Sequence, residues 1–194
     1  MLHDEASGLL HTLKVPSTPR RPAQGIADGI RQLTQRHGLP ATGIGYFSHG
    51  QTFALNTVLQ HQGARTGLLV TAGFRDILAI GRLRLPDPVN FFVQQPAALV
   101  DPGDVREVAE RVRADGTVEQ AVDPDQVESL AGELAADGVT ALVICFLHSY
   151  AFPDHERQAA ERIRHRFPDL YVSASHEVWP EQREYERCLA SVLK

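Results

Sequence analysis

A chain of 194 residues is long enough to bury a core, and its 43% hydrophobic and 22% charged residues are the make-up of a soluble globular protein. A net charge of −5 excludes broad attraction to nucleic acid or anionic lipid. No apolar run approaches the roughly 20 residues of a membrane span, no signal-peptide core is present, and two cysteines without a C-x-x-C spacing exclude a disulfide framework, so a cytoplasmic protein is expected.

Leu9 to Val15 reads as a strand entering a turn over Pro16 to Pro19. Pro22 suits a first helical turn, and Ile26, Ile30 and Leu33 mark one face of a helix closed by Gly38 and Pro40. The stretch from Gly43 to Thr57 is the one the chain is organised around. Ile44, Tyr46 and Phe47 predict a short buried strand between glycines, Ser48 to Thr52 a polar turn, and Phe53 to His61 a largely buried helix. Free amides and hydroxyls at such a turn favour an anion. The alternative is a plain connection in which Ser48 or Thr52 caps the helix and His49 makes a structural hydrogen bond.

Thr66 to Thr71 forms the next apolar strand, and strand, helix, strand with short joints implies a parallel βαβ unit. Gly73 to Ile80 is a short amphipathic segment. Pro86, Pro88, Pro96 and Pro102 break the chain into an excursion, and Val105 to Val122 predicts a hairpin turning at Asp115-Gly116, so residues 81–122 are a candidate inserted flap. Asp123 and Pro124 open a helix with Val127, Leu130, Ala131 and Leu134 on one face. Thr140 to Leu147 has the continuous apolar character of a strand covered on both sides. A helix from Pro153-Asp154 to about Phe167, a strand at Leu170 to Ser173 and a last helix from about Glu181 complete the pattern.

Two clusters could carry chemistry. His148, Asp154, His155 and Glu156 come after the buried strand, and either ligate a metal or form a structural hydrogen-bond cluster; their spacing matches no standard zinc pattern. Arg65, Arg75, Arg82 and Arg84 either recognise a carboxylate or phosphate with their guanidinium forks or are solvated and paired with Asp76 and Asp87. No G-x-S-x-G elbow, complete P-loop or G-x-G-x-x-G fingerprint occurs.

Several blocks in collinear order resemble one family: Lys14 to Pro19; His49-Gly50-Gln51-Thr52 through Asn56-Thr57; Gly63 to Gly67; Gly73 to Leu78 with Ile80-Gly81-Arg82; Cys145 to Tyr150; Pro153 to Glu156; and Ser175 to Val178 with Glu184 to Arg187. Together they look like the N-terminal domain of the hydantoinase A/5-oxoprolinase family, which includes N-methylhydantoinase and an acetone carboxylase subunit. The resemblance implies an α/β, actin-like (ribonuclease H-like) domain with an inserted β-hairpin region, spanning 1–194 as a single incomplete domain whose first strand is missing.

The resemblance also implies an ATP- and Mg²⁺-using amidohydrolase that opens a hydantoin- or 5-oxoproline-type ring through carbonyl phosphorylation. Its match places His49, Gly50, Thr52 and Asn56 in a cleft, with Arg75, Asp76, Arg82 and Arg84 as further substrate or phosphate candidates; no catalytic residue or metal ligand is assigned. Gln51 stands where many members have Thr. The family's Asp-x-Gly-Gly-Thr-x-Thr-Asp phosphate loop does not precede Leu9, and its second actin-like domain is absent. A truncated piece, inactive and without ATPase activity alone, is therefore expected, completed by that domain and a hydantoinase B-type subunit, with an open sheet edge that favours oligomers. The rival readings are an acetone carboxylase-type subunit on the same scaffold and a non-catalytic remnant that binds a partner subunit.

Overall fold

The computed structural model describes residues 1–5, 7–16, 18, 21–50, 52–60, 62–83, 87, 89–90, 92 and 98–194. They form two compact units, Met1–Gln51 and Thr52–Lys194.

In the first unit, β1 (Leu2–His3) pairs antiparallel with β2 (Leu10–His11) around a turn in which Gly8 takes φ 69°. Only these two residues of the strand predicted over Leu9 to Val15 enter a ladder. Helix α1 (Pro22–Arg36) forms as read, with proline in its first turn and Leu33 and Thr34 buried. Gly38, at φ 63°, ends it in the left-handed conformation that a Cβ disfavours.

The strand predicted at Ile44 to Phe47 does not form. Ala41–Gly43 makes one 3₁₀ turn, residues 44–50 are irregular, and Tyr46 is 85% exposed. A strand exists only through its ladder, and among the described residues none pairs with this run. The parallel βαβ unit expected from it is accordingly built elsewhere.

The second unit opens on α2 (Phe53–Leu59), which is shorter and wetter than predicted: Leu55 and Leu59 are exposed. A four-stranded parallel sheet comes next, in the order β4 (Val105–Val108), β3 (Thr66–Thr71), β7 (Ala141–Cys145), β8 (Tyr171–Ala174). Every residue of β7 is buried, because helices cover both faces. On one face Leu69, Leu142, Ile144 and Val172 pack with Val127, Ala131 and Leu134 of α4 (Pro124–Ala136) and Ala159, Ala160 and Ile163 of α5 (Asp154–Arg166). On the other, Leu68, Val70, Val143 and Cys145 meet α3 (Ile77–Ile80) and Cys188 and Val192 of α7 (Glu184–Leu193). Helix α4 starts as its sequence dictates: the Asp123 carboxylate accepts from the Asp125 amide at 2.9 Å, with Pro124 at the first position.

The hairpin expected over Val105 to Val122 is narrower. Its turn holds, with Gly116 at φ 86°, but only β5 (Arg111–Val112) and β6 (Val118–Gln120) pair antiparallel. Val105–Val108 joins β3 as a parallel edge strand, where Val105 and Val108 are buried on opposite faces of the sheet. A two-stranded ribbon has no second face to cover, so burial decides against it. Helix α6 (Ser175–Val178) continues directly from β8.

Two consequences are measurable. A Cβ at Gly67 would sit 3.1 Å from Leu134, Leu142 and Val139, so Gly67→Ala should lose about 1–3 kcal/mol of unfolding free energy in urea, the usual cost of overpacking. Arg65 grips Asp104 with two 2.8 Å bonds, and that bonding holds the Asp104 carboxyl below its ordinary value. The folded pKa lies under the unfolded one, so the stabilisation is complete above about pH 4 and is lost as pH falls through the folded pKa. Asp104→Asn should flatten this acid limb in thermal melts while leaving the slope near neutrality unchanged.

Candidate functional site

In open α/β sheets ligands bind outside the carboxyl ends of parallel strands. Here that end is built by the residues that leave β3, β7 and β8, and polar side chains immediately past the apolar strands tie it together. Thr71, the last residue of β3, donates to Glu110, whose other oxygen lies 2.6 Å from Nδ1 of His155 on α5. The Thr71 hydroxyl also accepts from the Leu147 amide at 3.0 Å. All three side chains are buried.

A second network joins β7 to β8. Glu156, fully buried, takes two donors on each oxygen: the Phe146 amide (2.7 Å) and Ser175 hydroxyl (2.6 Å) on one, the His176 amide (2.9 Å) and Nδ1 (2.7 Å) on the other. Arg187 of α7, also fully buried, donates to the Ser175 hydroxyl (3.0 Å), the Glu181 carbonyl (3.1 Å) and the Phe146 carbonyl (2.9 Å), and lies over the Tyr150 ring at 5.7 Å. One serine hydroxyl thus stands between a buried anion and a buried cation.

The loop after β7 holds an exception. His148 is partly exposed and adopts φ 55°, unusual for a residue with a side chain. Its Nδ1 is buried and has no hydrogen-bond partner among the described residues. Leaving such an atom unpaired costs about 1–3 kcal/mol, in a loop whose other buried polar groups are satisfied.

Of the histidine–carboxylate cluster read from the sequence, three members are hydrogen-bonded within the protein and to different partners: His155 to Glu110, Glu156 to the β8 side, and exposed Asp154 to Arg157 at 2.6 Å. Among the described residues no three His, Cys, Asp or Glu side chains gather as a metal site. The described sequence-predicted cleft residues make none of the hydrogen bonds of this buried framework. His49 and Gly50 end the first unit, His49 being exposed with its ring 6.4 Å from Phe47. Thr52 occupies the N-cap position of α2 but makes no side-chain cap bond, and Asn56 is exposed on that helix. Arg75 donates to the Pro102 carbonyl at 2.7 Å, Asp76 precedes α3, and Arg82 pairs with Glu186 of α7 at 2.6 Å rather than with Asp76 or Asp87. Arg84 and Gln51 lie outside the described residues.

Both cysteines are buried. Hydrogen bonding to the Cys145 thiol, then burial, push the Cys188 thiol far above its ordinary range, which removes it as a nucleophile. No described helix is long and apolar enough to cross a membrane.

Residues 1–167 match the family model described as the hydantoinase/oxoprolinase N-terminal region. The chain belongs to the hydantoinase/oxoprolinase family. It is 31% identical over 192 residues to the caprolactamase subunit alpha of Pseudomonas jessenii, covering 96% of this chain and 28% of that one. Among solved structures it is similar to the ATP-dependent caprolactamase of Pseudomonas jessenii, with a TM-score of 0.84 and 29% identity over 98% of this chain and 28% of that one. It is also similar to the nucleotide-free structure of acetone carboxylase, with a TM-score of 0.82 and 25% identity over 92% of this chain and 28% of that one. The hydantoinase/oxoprolinase chain thus spans somewhat over a quarter of the length of these relatives, and its α/β parallel-sheet architecture agrees with the actin-like fold that the resemblance implied.

The β7–β8 network was missed because its members are ordinary in sequence: Ser175 is one serine after a strand, and Arg187 sits in an amphipathic helix. The available signal was Glu156, a carboxylate on the buried side of α5. Arg187→Met should cost about 3–5 kcal/mol in denaturant unfolding, since it leaves the Glu156 charge buried without its cation. Arg157→Met, which breaks only an exposed pair, should change stability by less than about 1 kcal/mol.

Proposed function

We propose that this chain is the N-terminal part of an ATP-dependent enzyme that opens a cyclic amide ring of hydantoin, 5-oxoproline or lactam type. The observation that carries the reading is the likeness to ATP-dependent caprolactamase along nearly the whole chain. The chemistry requires activation, because a ring amide is a weak electrophile with a poor leaving group. Transfer of the γ-phosphoryl group of ATP to the amide oxygen makes the carbonyl carbon electrophilic. Water then adds there and the C–N bond breaks as nitrogen takes a proton, which leaves an acyl phosphate, and a second water cleaves that to the carboxylate and inorganic phosphate.

His49, Gly50, Thr52, Asn56, Arg75, Asp76 and Arg82 are the proposed cleft residues, with Arg84 as an eighth from the sequence. The exposure of the first seven supports this role, since each offers its polar group or backbone to solvent. Mg²⁺ has no ligand set among the described residues: Glu110 and Glu156 have both oxygens committed to protein donors. A second actin-like domain and a B-type subunit are the proposed partners and the cytoplasm the proposed location, in keeping with two unpaired cysteines.

The likeness to acetone carboxylase supports a second reading, a carboxylase-type subunit in which the phosphorylated species is a ketone substrate or bicarbonate. An enzyme assembled from this chain and the remaining domains of a relative separates the two. Phosphate release from ATP should depend on hydantoin, 5-oxoproline or ε-caprolactam and not on bicarbonate with acetone; the reverse dependence selects the carboxylase. In the same assembly His49→Ala and Asn56→Ala should each lower turnover about 10²–10³-fold. Neither exposed residue should change unfolding by more than about 0.5 kcal/mol, and full turnover with a large stability loss would remove both from the cleft.

A further inference from the structure

We infer that His148 is a ligand-binding residue whose imidazole supplies a hydrogen bond to a cyclic amide at the carboxyl end of the sheet. The inference rests on the ring-opening reading and names a residue for it outside the proposed cleft set.

Three histidines stand at this end of the molecule, and two are accounted for by the fold. His155 and His176 each hold Nδ1 within 2.7 Å of a buried glutamate. His148 departs from both, with a left-handed backbone, a partly exposed ring and a buried Nδ1 that no described group meets. The surrounding network has nothing left to offer it. Glu110 and Glu156 are engaged on both oxygens, Ser175 is shared between Glu156 and Arg187, and Arg187 has a donor on each of its three nitrogens engaged.

Glycine at position 148 would relieve the backbone and delete the unpaired atom, and the ring's one aromatic contact, edge-on to Tyr150 at 6.4 Å, needs no nitrogen, so the fold gains nothing from the imidazole nitrogens. What a histidine adds is contact with a group brought from outside, and residues held against their own preference cluster where ligands bind. A cyclic amide presents a carbonyl acceptor beside an N–H donor on one edge. An imidazole nitrogen meets either, according to its tautomer.

The test uses the 194-residue chain with ¹⁵N-labelled histidine. Hydantoin and 5-oxoproline should shift the ring nitrogens of His148, and inorganic phosphate should not. His148→Gly should melt at or above the wild-type temperature while binding hydantoin about tenfold more weakly, the worth of one hydrogen bond. His148→Asn, which tolerates the left-handed backbone and keeps a polar group, should recover part of the affinity. If wild type binds hydantoin and both variants bind it equally well, the inference about His148 fails and the ring-opening reading stands. If neither hydantoin nor 5-oxoproline binds wild type, the inference fails, while the ring-opening reading is decided separately by phosphate release in the assembled enzyme. A response of His148 to phosphate alone, or a fall in melting temperature of both variants with binding unchanged, also overturns the inference.

Discussion

The second unit depends on one arrangement more than any other: a buried glutamate and a buried arginine that meet through a serine hydroxyl. Glu156 gathers the end of β7 and the start of α6, and Arg187 brings in α7 and the 181 carbonyl. Taking two charges out of water is costly, and only complete hydrogen bonding makes such a pair tolerable. Here each oxygen of Glu156 has two donors, and Arg187 donates from all three nitrogens. A hydrophobic replacement could match its stability but not its directionality, and the loops that leave the sheet are placed by direction.

That placement separates scaffold from chemistry. The polar groups with the best geometry are occupied in holding strand ends together, while the groups proposed for substrate or phosphate are exposed and lightly tethered. Arg75 and Arg82, for example, each reach one partner across the surface, a carbonyl of residue 102 and Glu186. Surface pairs of this kind contribute little to stability, so a passing ligand can compete for them. His148 belongs to neither group: its ring stands edge-on to Tyr150, and its buried Nδ1 has no hydrogen-bond partner among the described residues.

How much could be read in advance tracked the range of the interactions involved. Helix α4 was legible because its cap, its proline and its apolar face all lie within its own residues. Strand β7 was legible because burial on both faces leaves an unbroken apolar run. Ile44 to Phe47 carried the same local signal and misled, since ladder pairing is a property of a neighbour rather than of the run. Val105–Val108 misled in the opposite sense: its valines suit a hairpin, yet the sheet edge buries them on two faces. The resemblance pointed to His49 through Asn56, but the ties of Thr71 to Glu110, Ser175 to Arg187 and Arg187 to Phe146 span 12 to 41 residues of sequence, and no local pattern announces them.

The packing of the two thiols has a practical side. Cys145 and Cys188 are the chain's full complement of cysteine, both lie inside the core beneath α7, and the Cys188 sulfur is held in its protonated, unreactive form. The native surface therefore presents no competing nucleophilic sulfur. A single cysteine introduced at an exposed position such as 52 or 56 would accept a maleimide fluorophore or nitroxide selectively, without first stripping the protein of its own residues. Labelled at one of those positions, the chain becomes a reporter on how the segment around the unit boundary responds when the rest of an enzyme is added.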